Sequence, residues 1–574
     1  MNSPLEQLAL ARFRPGFTLL YGRRADSCLQ RLALLAGRYG LGPRDERAVH
    51  GWTQRDAVLI TYGDMVQAPD AAPLEVLARF LRQHVGDAIT AVHVLPFFPY
   101  SSDDGFSVIH FRQVDPALGT WNHVQELGKS YRLMVDLVLN HVSRQSGWFR
   151  DFEAGVAPGR DYFVTADPAT DLTAVVRPRT HPLLTPVPTR GGVRHVWTTF
   201  SADQVDLDFA NPDVFFELLD ILLFYVTQGA RIIRMDAIAY LWKKPGTPCI
   251  HLPETHEVVK LFRAFLEVVA PDVVLITETN VPHAENVSYF GAGDEAQMVY
   301  QFSLPPLLLH GLLNENAERL TAWAAALAPP PPGCTFLNFT ASHDGIGVRP
   351  LHGLIPDAEL QQLARHVEQQ GGRVSMKKNA DGTESPYELN ITYFDAMGAG
   401  DPTRQKARFL CSQTIMMALQ GVPALYFQSL VAAPNDQAGV HRTGSARSIN
   451  RHKWQELELA SRLGDPANPT AQLMPELLRR LRLRASRAAF NPAAPQIIHR
   501  LDPHVFALER RGTNDRVLAL HNLSGQVRRV RLPDKDKDQS WRDLLDPEQG
   551  VHRGTDIELP PHGCRWLTPV AALK

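Results

Sequence analysis

Apolar and polar residues change rhythm along the chain. Through residues 1–55, Leu29, Leu32, Leu34 and Leu35 recur at helical spacing among several arginines, which predicts a helical N-terminal extension without evident chemistry of its own. From Ala57 onward, short apolar runs alternate with amphipathic stretches. Runs at 58–62, 91–95, 133–137, 230–234, 273–277, 298–300, 335–339 and 424–427 predict eight strands, with helices over 74–85, 214–227, 255–269 and 404–419 among the connections. Eight strands alternating with helices favour a (β/α)8 barrel over a doubly wound sheet.

Two intervals are too long to be simple connections. Residues 143–206, rich in Pro and Thr (RPRTHPLLTPVPTR), predict an irregular subdomain over the barrel mouth, and residues 345–403 predict a second insert after the seventh strand. Within the second, KKNADGTESPYELN carries the Asn, Asp, Gly and Pro of a loop able to change conformation. The barrel is thus expected over 56–142, 207–344 and 404–465. Residues 466–574 read as a helical connection followed, from Ile497, by the alternation HVFALER, RVLALHNL and RRVRLP of a small antiparallel β domain.

Composition narrows the class. The chain has 574 residues, 44% hydrophobic and 21% charged, and its 59 Lys+Arg against 61 Asp+Glu leave a net charge of -2 with no long run of one sign, so nucleic acid is not an expected partner. Five cysteines are scattered without CxxC spacing, suggesting neither a zinc site nor a disulfide framework. The start MNSPLEQLALARF lacks a signal-peptide layout and no apolar run is long enough for a bilayer, so no membrane partner and a cytoplasmic location are expected.

Candidate chemistry lies at the strand ends. The fourth strand, within GARIIRMDAIAY, delivers Asp236 two residues after Arg234, on the same side of the strand. Taken alone, the pair fits a nucleophile kept ionised by its arginine or an ordinary surface ion pair. The third strand ends DLVLNH with Asp136, Asn140 and His141; the fifth ends ITETN with Glu278; the seventh ends FTASHDG with His343 and Asp344. His141 alone reads as a core or cap residue, and Glu278 alone as a solvated strand end. Together they supply what glycosyl transfer needs: two carboxyl groups flanking an anomeric carbon, which at a separation of roughly 5 Å react with retention through a covalent intermediate. Asp236 beside Arg234 is expected to stay ionised, whereas Glu278, following Val273, Val274, Leu275 and Ile276, is expected to be raised enough to act as an acid.

In this order the four motifs resemble the α-amylase superfamily of retaining α-glucosidic enzymes (glycoside hydrolase family 13) over most of residues 57–460. The resemblance implies that Asp236 is the nucleophile, Glu278 the general acid/base and Asp344 the carboxylate that holds sugar hydroxyls, with His141, His343 and Arg234 as sugar-binding and orienting groups. Further segments, including VHVLPFFPYSSDDGFSVIHF, VDPALGTW, HDGIGV and INRHKW, resemble sucrose phosphorylase and its relatives, which split an α-glucoside with inorganic phosphate. That implies two small-molecule partners, the glucoside and phosphate, with phosphate a substrate and no cofactor or metal required. It also implies that Asp103 and Arg447 grip the far side of one glucosyl unit; without it, Asp103 and Asp104 read as a solvated turn. Arg179 of the RPR segment matches the phosphate-contacting arginine of these enzymes, although Arg177 lies close by and either side chain fits a structural salt bridge.

The variants SSDDGFSV, WKKPGTPCIHL, TETNVPHAENVSYFG and SPYELN resemble the glucosylglycerate phosphorylases, with sucrose 6-phosphate and glucosylglycerol phosphorylases near. The acceptor loop of those enzymes corresponds to 377–390, with Tyr387 and Glu388 where acceptor and phosphate are contacted. An anionic acceptor calls for a cation, and Lys377, Lys378, Arg349 and His352 are available, though each also fits a solvated loop charge. A hydrolase or transglucosidase would use the same catalytic groups. Monomer and homodimer both fit the sequence.

Overall fold

The computed structural model describes residues 10–39, 51–378, 383–398, 400–533, 536 and 539–570, with the side chain of Lys378 excepted. Eight parallel strands close into a barrel: β1 (Val58–Thr61), β2 (Ala91–Val94), β3 (Arg132–Val138), β4 (Ala230–Asp236), β5 (Val274–Thr277), β6 (Met298–Tyr300), β7 (Thr335–Phe339) and β8 (Val422–Tyr426). β8 pairs with β1, Val58 opposite Ala424, and so closes the ring. Strands covered on both faces must be apolar nearly throughout, which is why unbroken runs such as VLIT and AVHV form them. β8 starts at Val422, earlier than expected, because Pro423 is accommodated within the strand.

Helices flank the ring, and local chemistry sets where they begin. Those over Pro73–Phe80, Pro212–Thr227, Pro253–Val269, Pro402–Ala418 and Pro469–Ala485 each carry proline in the first turn, where a missing N–H costs nothing. Asn211, Asp401 and Asn468 cap three of them by accepting from the N–H two residues on. The N-terminal helices Arg14–Tyr21 and Ala25–Arg38 pack on the outside of this layer. Phe17 is fully buried against Phe215 and Phe216 at 5.5 and 5.9 Å between ring centres, and Arg31 pairs with Asp213 at 2.6 Å.

Both inserts have regular structure. The first contains the helix Gly147–Ala154, the hairpin Leu184–Thr189 with Gly192–Trp197, and a short strand Gln204–Asp206 paired with His141–Ser143. The second is a three-stranded antiparallel sheet of Ile346–Gly347, Arg373–Lys378 and Glu384–Asn390 with the helix Asp357–Gln369 against it. Much of the segment expected as a loop is therefore the two arms of a hairpin; Asn379 to Gly382, the predicted point of conformational change, lies outside the described residues.

At the opposite end of the chain, a six-stranded antiparallel sheet and the pair Arg528–Arg531 with Asp556–Leu559 enclose their own core around Val505, Leu518, Trp541 and Leu567. Two buried arginines join this region to the barrel floor. Arg484 donates to the carbonyls of Met417, Gln54, Asp56, Gly421 and Phe490, and Arg510 to those of Ala418, Asn491 and Ala494. Among the described residues no helix is long and apolar enough to cross a membrane.

Candidate active site

The strand register assembles the site. β4 lies between β3 and β5, so Arg234 stands opposite Asp136 on one side and Ile276 on the other, and the N–H of Glu278 donates to Met235 O at 3.1 Å. One nitrogen of Arg234, Nη1, donates both to Asp136 and, at 2.7 Å, to Asp236 Oδ1; Nη2 lies 3.8 Å from Glu278 Oε2. The other oxygen of Asp136 is held by His93 Nε2 at 2.6 Å. The rings of Phe106 and Tyr300 lie 5.6 and 5.8 Å from the guanidinium carbon, within cation–π range.

Beyond Asp236 the chain turns sharply at Ala237, whose φ of 52° is a left-handed conformation that costs a non-glycine residue about 1–2 kcal/mol. The turn aims the Ala237 N–H at Glu278 Oε2, 3.2 Å away. Asp236 and Glu278 thus share a guanidinium on one side and adjoin through a backbone donor on the other. Asp103 and Asp104 also have positive φ, 51° and 52°, so strained backbone gathers at this end of the barrel.

The two carboxyl groups differ in proton affinity. Burial pushes Glu278 up to about 7; Asp236 and Asp344 push the same way, and Arg234 opposes them from a distance. Asp236 is also raised by burial, against the direct hydrogen bond from Arg234. Arg234 thus offsets part of the cost of desolvating the Asp236 carboxylate. Asp344 would likewise be raised by burial, but Arg447, Arg451, Arg234 and Arg179 outweigh it and hold the group below the usual carboxylate range.

Arg447 is the second hub. It meets both oxygens of Glu388 at 2.9 Å, Asp344 Oδ1 at 2.7 Å, and Asp103 Oδ1 at 3.8 Å, while Arg451 lies 3.7 Å from Asp103 and donates to His343 O. Glu388 also accepts from the Gly345 N–H at 2.7 Å, so its carboxylate is committed within the protein. His343 stacks on Phe106 at 4.6 Å, and burial together with Arg451 and Arg234 holds its pKa well below the usual histidine value. His141 Nε2 lies 3.0 Å from Phe106 O and 3.2 Å from Gln204 Nε2.

One cleft is lined by Asp103, His141, Arg179, Asp236, Glu278, His343, Asp344, Tyr387, Glu388 and Arg447, with Arg234 buried directly beneath its carboxylates. Arg179 stands 5.5 Å over the Tyr387 ring, and among the described residues no carboxylate lies within the 4.0 Å of an ion pair with it. Arg177 is not among the cleft residues; its Nε and Nη2 are buried without a hydrogen-bond partner among the described residues. Sequence reasoning passed over His93, Arg451 and Lys243, the last of which reaches Asn140 Oδ1 and Asp206 Oδ2, each at 2.7 Å. The apolar runs around His93 hinted at a buried histidine, whereas Lys243 in WKKPG reads like a solvated charge.

A barrel bearing adjacent carboxyl groups at its mouth, one able to carry a proton near neutrality, belongs chemically with glycoside-processing barrels. Residues 85–324 match the alpha amylase catalytic domain. The chain is 46% identical to the glucosylglycerate phosphorylase of Allomeiothermus silvanus over 83% of its length and 86% of that protein's. It is 43% identical to the glucosylglycerate phosphorylase of Escherichia coli, over 91% of this chain and 93% of the other. A crystal structure of sucrose 6F-phosphate phosphorylase from Thermoanaerobacter thermosaccharolyticum superposes with a TM-score of 0.72 at 26% identity, covering 82% of this chain and 94% of that one. The chain belongs to the alpha-amylase family, in its sucrose phosphorylase branch.

Proposed function

We propose that the protein is a retaining α-glucoside phosphorylase that converts 2-O-α-glucosylglycerate and phosphate reversibly into α-glucose 1-phosphate and glycerate. The observation that carries the chemistry is the pair Asp236 and Glu278 arranged around Arg234, with Glu278 pushed up to about 7. The similarity to glucosylglycerate phosphorylases supports the substrate.

In the first step Asp236 attacks the anomeric carbon while protonated Glu278 gives its proton to the departing glycerate oxygen, leaving a β-glucosyl-enzyme. Phosphate then attacks the same carbon, the ester to Asp236 breaks, and α-glucose 1-phosphate leaves. Because phosphate arrives as an anion, this second step leans little on Glu278 as a base. Asp344, ionised beside Arg447, is assigned to sugar hydroxyls, and Asp103 and His141 to the far side of the same glucosyl unit. His343, neutral, serves as a hydrogen-bonding group there. Arg447 is assigned mainly to holding Asp344 and Glu388, and Arg179, free of carboxylates and over Tyr387, to phosphate. These roles call for no cofactor or metal. We assign the protein to the cytoplasm, where its five free thiols would stay reduced.

The test follows glucose 1-phosphate from glucosylglycerate, sucrose, sucrose 6-phosphate and glucosylglycerol, each with and without phosphate. Phosphate-dependent cleavage of glucosylglycerate is expected. Preference for another of the four would move the acceptor assignment, and equal turnover without phosphate would leave a hydrolase.

A further inference from the structure

The carboxylates at the barrel mouth are tied to a side chain that the chemistry above does not use. His93 lies in the apolar strand β2, next to the β3 strand that carries Asp136, and both residues are buried. A carboxylate oxygen only accepts, so His93 Nε2 donates to Asp136 Oδ2, at 2.6 Å. Its other ring nitrogen, Nδ1, is buried without a hydrogen-bond partner among the described residues. An apolar residue would fill the position without leaving a polar atom unmet, so the use of His93 is to be sought in its bond to Asp136.

That bond begins a chain across neighbouring strands. Asp136 Oδ1 on β3 accepts from Arg234 Nη1 on β4, the same nitrogen donates to Asp236 Oδ1 at 2.7 Å, and Nη2 lies 3.8 Å from Glu278 Oε2 just beyond β5. One nitrogen with two hydrogens thus serves two carboxylates. The arrangement competes with the stronger one that a carboxylate and a guanidinium form by themselves, two parallel N–H···O bonds. Burial would raise the Asp136 carboxyl, but His93 and Arg234, with His343 adding to them, outweigh it and hold the group below the usual carboxylate range. Burial also raises Asp236; Arg234 and His141 pull it down, and Asp136 pushes it up. Tyr300 and Glu278 are the other ionisable groups acting on Arg234.

We propose that His93 is a positioning residue for glucosyl transfer: by occupying Asp136 Oδ2 it keeps Asp136 from closing a two-bond fork on Arg234, and so leaves Arg234 Nη1 on Asp236. The inference rests on the reading of Asp236 as the nucleophile and deepens it. With an apolar side chain at position 93, Oδ2 is left bare in the barrel interior, and Arg234 is the donor already in contact with the same carboxylate. The guanidinium then turns toward β3 and Asp236 loses its charge-assisted hydrogen bond. Its proton is held more tightly, because burial of the carboxyl is opposed less. His93 touches no reacting atom; it acts through Asp136 and Arg234.

The test uses α-glucosyl fluoride, from which fluoride leaves as the Asp236 oxygen bonds to the anomeric carbon, with little need of a proton from Glu278. For this substrate the acid limb of kcat/KM against pH follows the ionisation of Asp236 in the free enzyme. Profiles are compared in wild type, His93→Leu, His93→Asn and His93→Gln. The glutamine amide reaches as far as the imidazole Nε2, the asparagine amide only as far as Nδ1. In His93→Leu and His93→Asn the acid limb is expected to move up by roughly one pH unit or more and the plateau to fall about 10- to 100-fold; His93→Gln should keep the limb in place and stay within about threefold of wild type. The asparagine variant carries the test where the leucine variant does not fold. A uniform fall with no movement of the limb, an unchanged profile, or a His93→Gln profile displaced as far as that of His93→Leu overturns the inference and leaves the proposed function standing. A wild type that releases no fluoride, or an Asp236→Asn variant that releases it as fast as wild type, overturns the reading of Asp236 as nucleophile and the inference with it.

Discussion

Arg234 and Arg447 at the barrel mouth and Arg484 and Arg510 at its floor are the same side chain used in opposite ways. The mouth arginines face carboxylates, Asp136 and Asp236 for one, Asp344 and Glu388 for the other. The floor arginines bond mainly to backbone carbonyls, and burial pulls Arg484 down to about 10 and Arg510 to about 9. A carboxylate partner alters how tightly protons are held, and so can be turned to chemistry. A carbonyl has no proton to tune, and serves only to tie segments together.

The largest effect expected at the mouth is on rate. Glu278→Gln removes the proton donor while keeping size and the Ala237 hydrogen bond, and phosphorolysis of the natural glucoside should fall about 10³- to 10⁴-fold. α-Glucosyl fluoride, whose leaving group needs little protonation, should lose far less; an equal loss with both substrates would count against Glu278 as the acid. Next comes Arg447→Met, which leaves buried Glu388 and partly buried Asp344 without their cation and is expected to cost about 3–5 kcal/mol in urea unfolding, together with most activity. At the floor, Arg484→Met strands several carbonyls and should cost roughly 3 kcal/mol. Its activity–pH profile should keep its shape, whereas that of Arg447→Met should shift; a profile that moved with the floor variant would erase the distinction between the two regions.

The smallest effect is a matter of sign. Glu278 has a folded pKa raised from 4.5 to about 7, so the stability it contributes is fully present below the unfolded value and is lost as pH rises through that window. Glu278→Gln should therefore be more stable than wild type at pH 8 by about 1–3 kcal/mol and close to it at pH 4. Urea midpoints at the two pH values measure the difference. The activity of wild type should decline as pH rises through about 7, because the acid is then deprotonated.

The mouth was far more legible in the sequence than the floor. Parallel strands buried on both faces announce themselves as apolar runs, and a carboxylate ending such a run, as in RIIRMD or VLITE, stands out. That is how Asp236, Glu278, His343 and Asp344 could be placed on the same end of the barrel. Arg484 sits within LRRLRLRA, which reads as the charged face of a helix, and its partners are carbonyls that leave no trace in side-chain identity. Arg451 lay close to the recognised Arg447 but belonged to no strand end. The hairpin around Tyr387 was mistaken for loop because the turn residues between its arms outweighed the weak alternation of arms rich in charge.

Arg484 reaches Gln54 and Asp56 just ahead of β1 and Gly421 just ahead of β8, the two strands whose pairing closes the ring. On a ribosome, β1 is made hundreds of residues before the arginine that secures it to β8. Until the helix Pro469–Ala485 emerges, the nascent barrel lacks its clasp, and a chain halted at residue 465 should bind chaperones and resist neither protease nor mild denaturant as the finished protein does. A helix made long after β1 thus governs when the closure between β1 and β8 is secured.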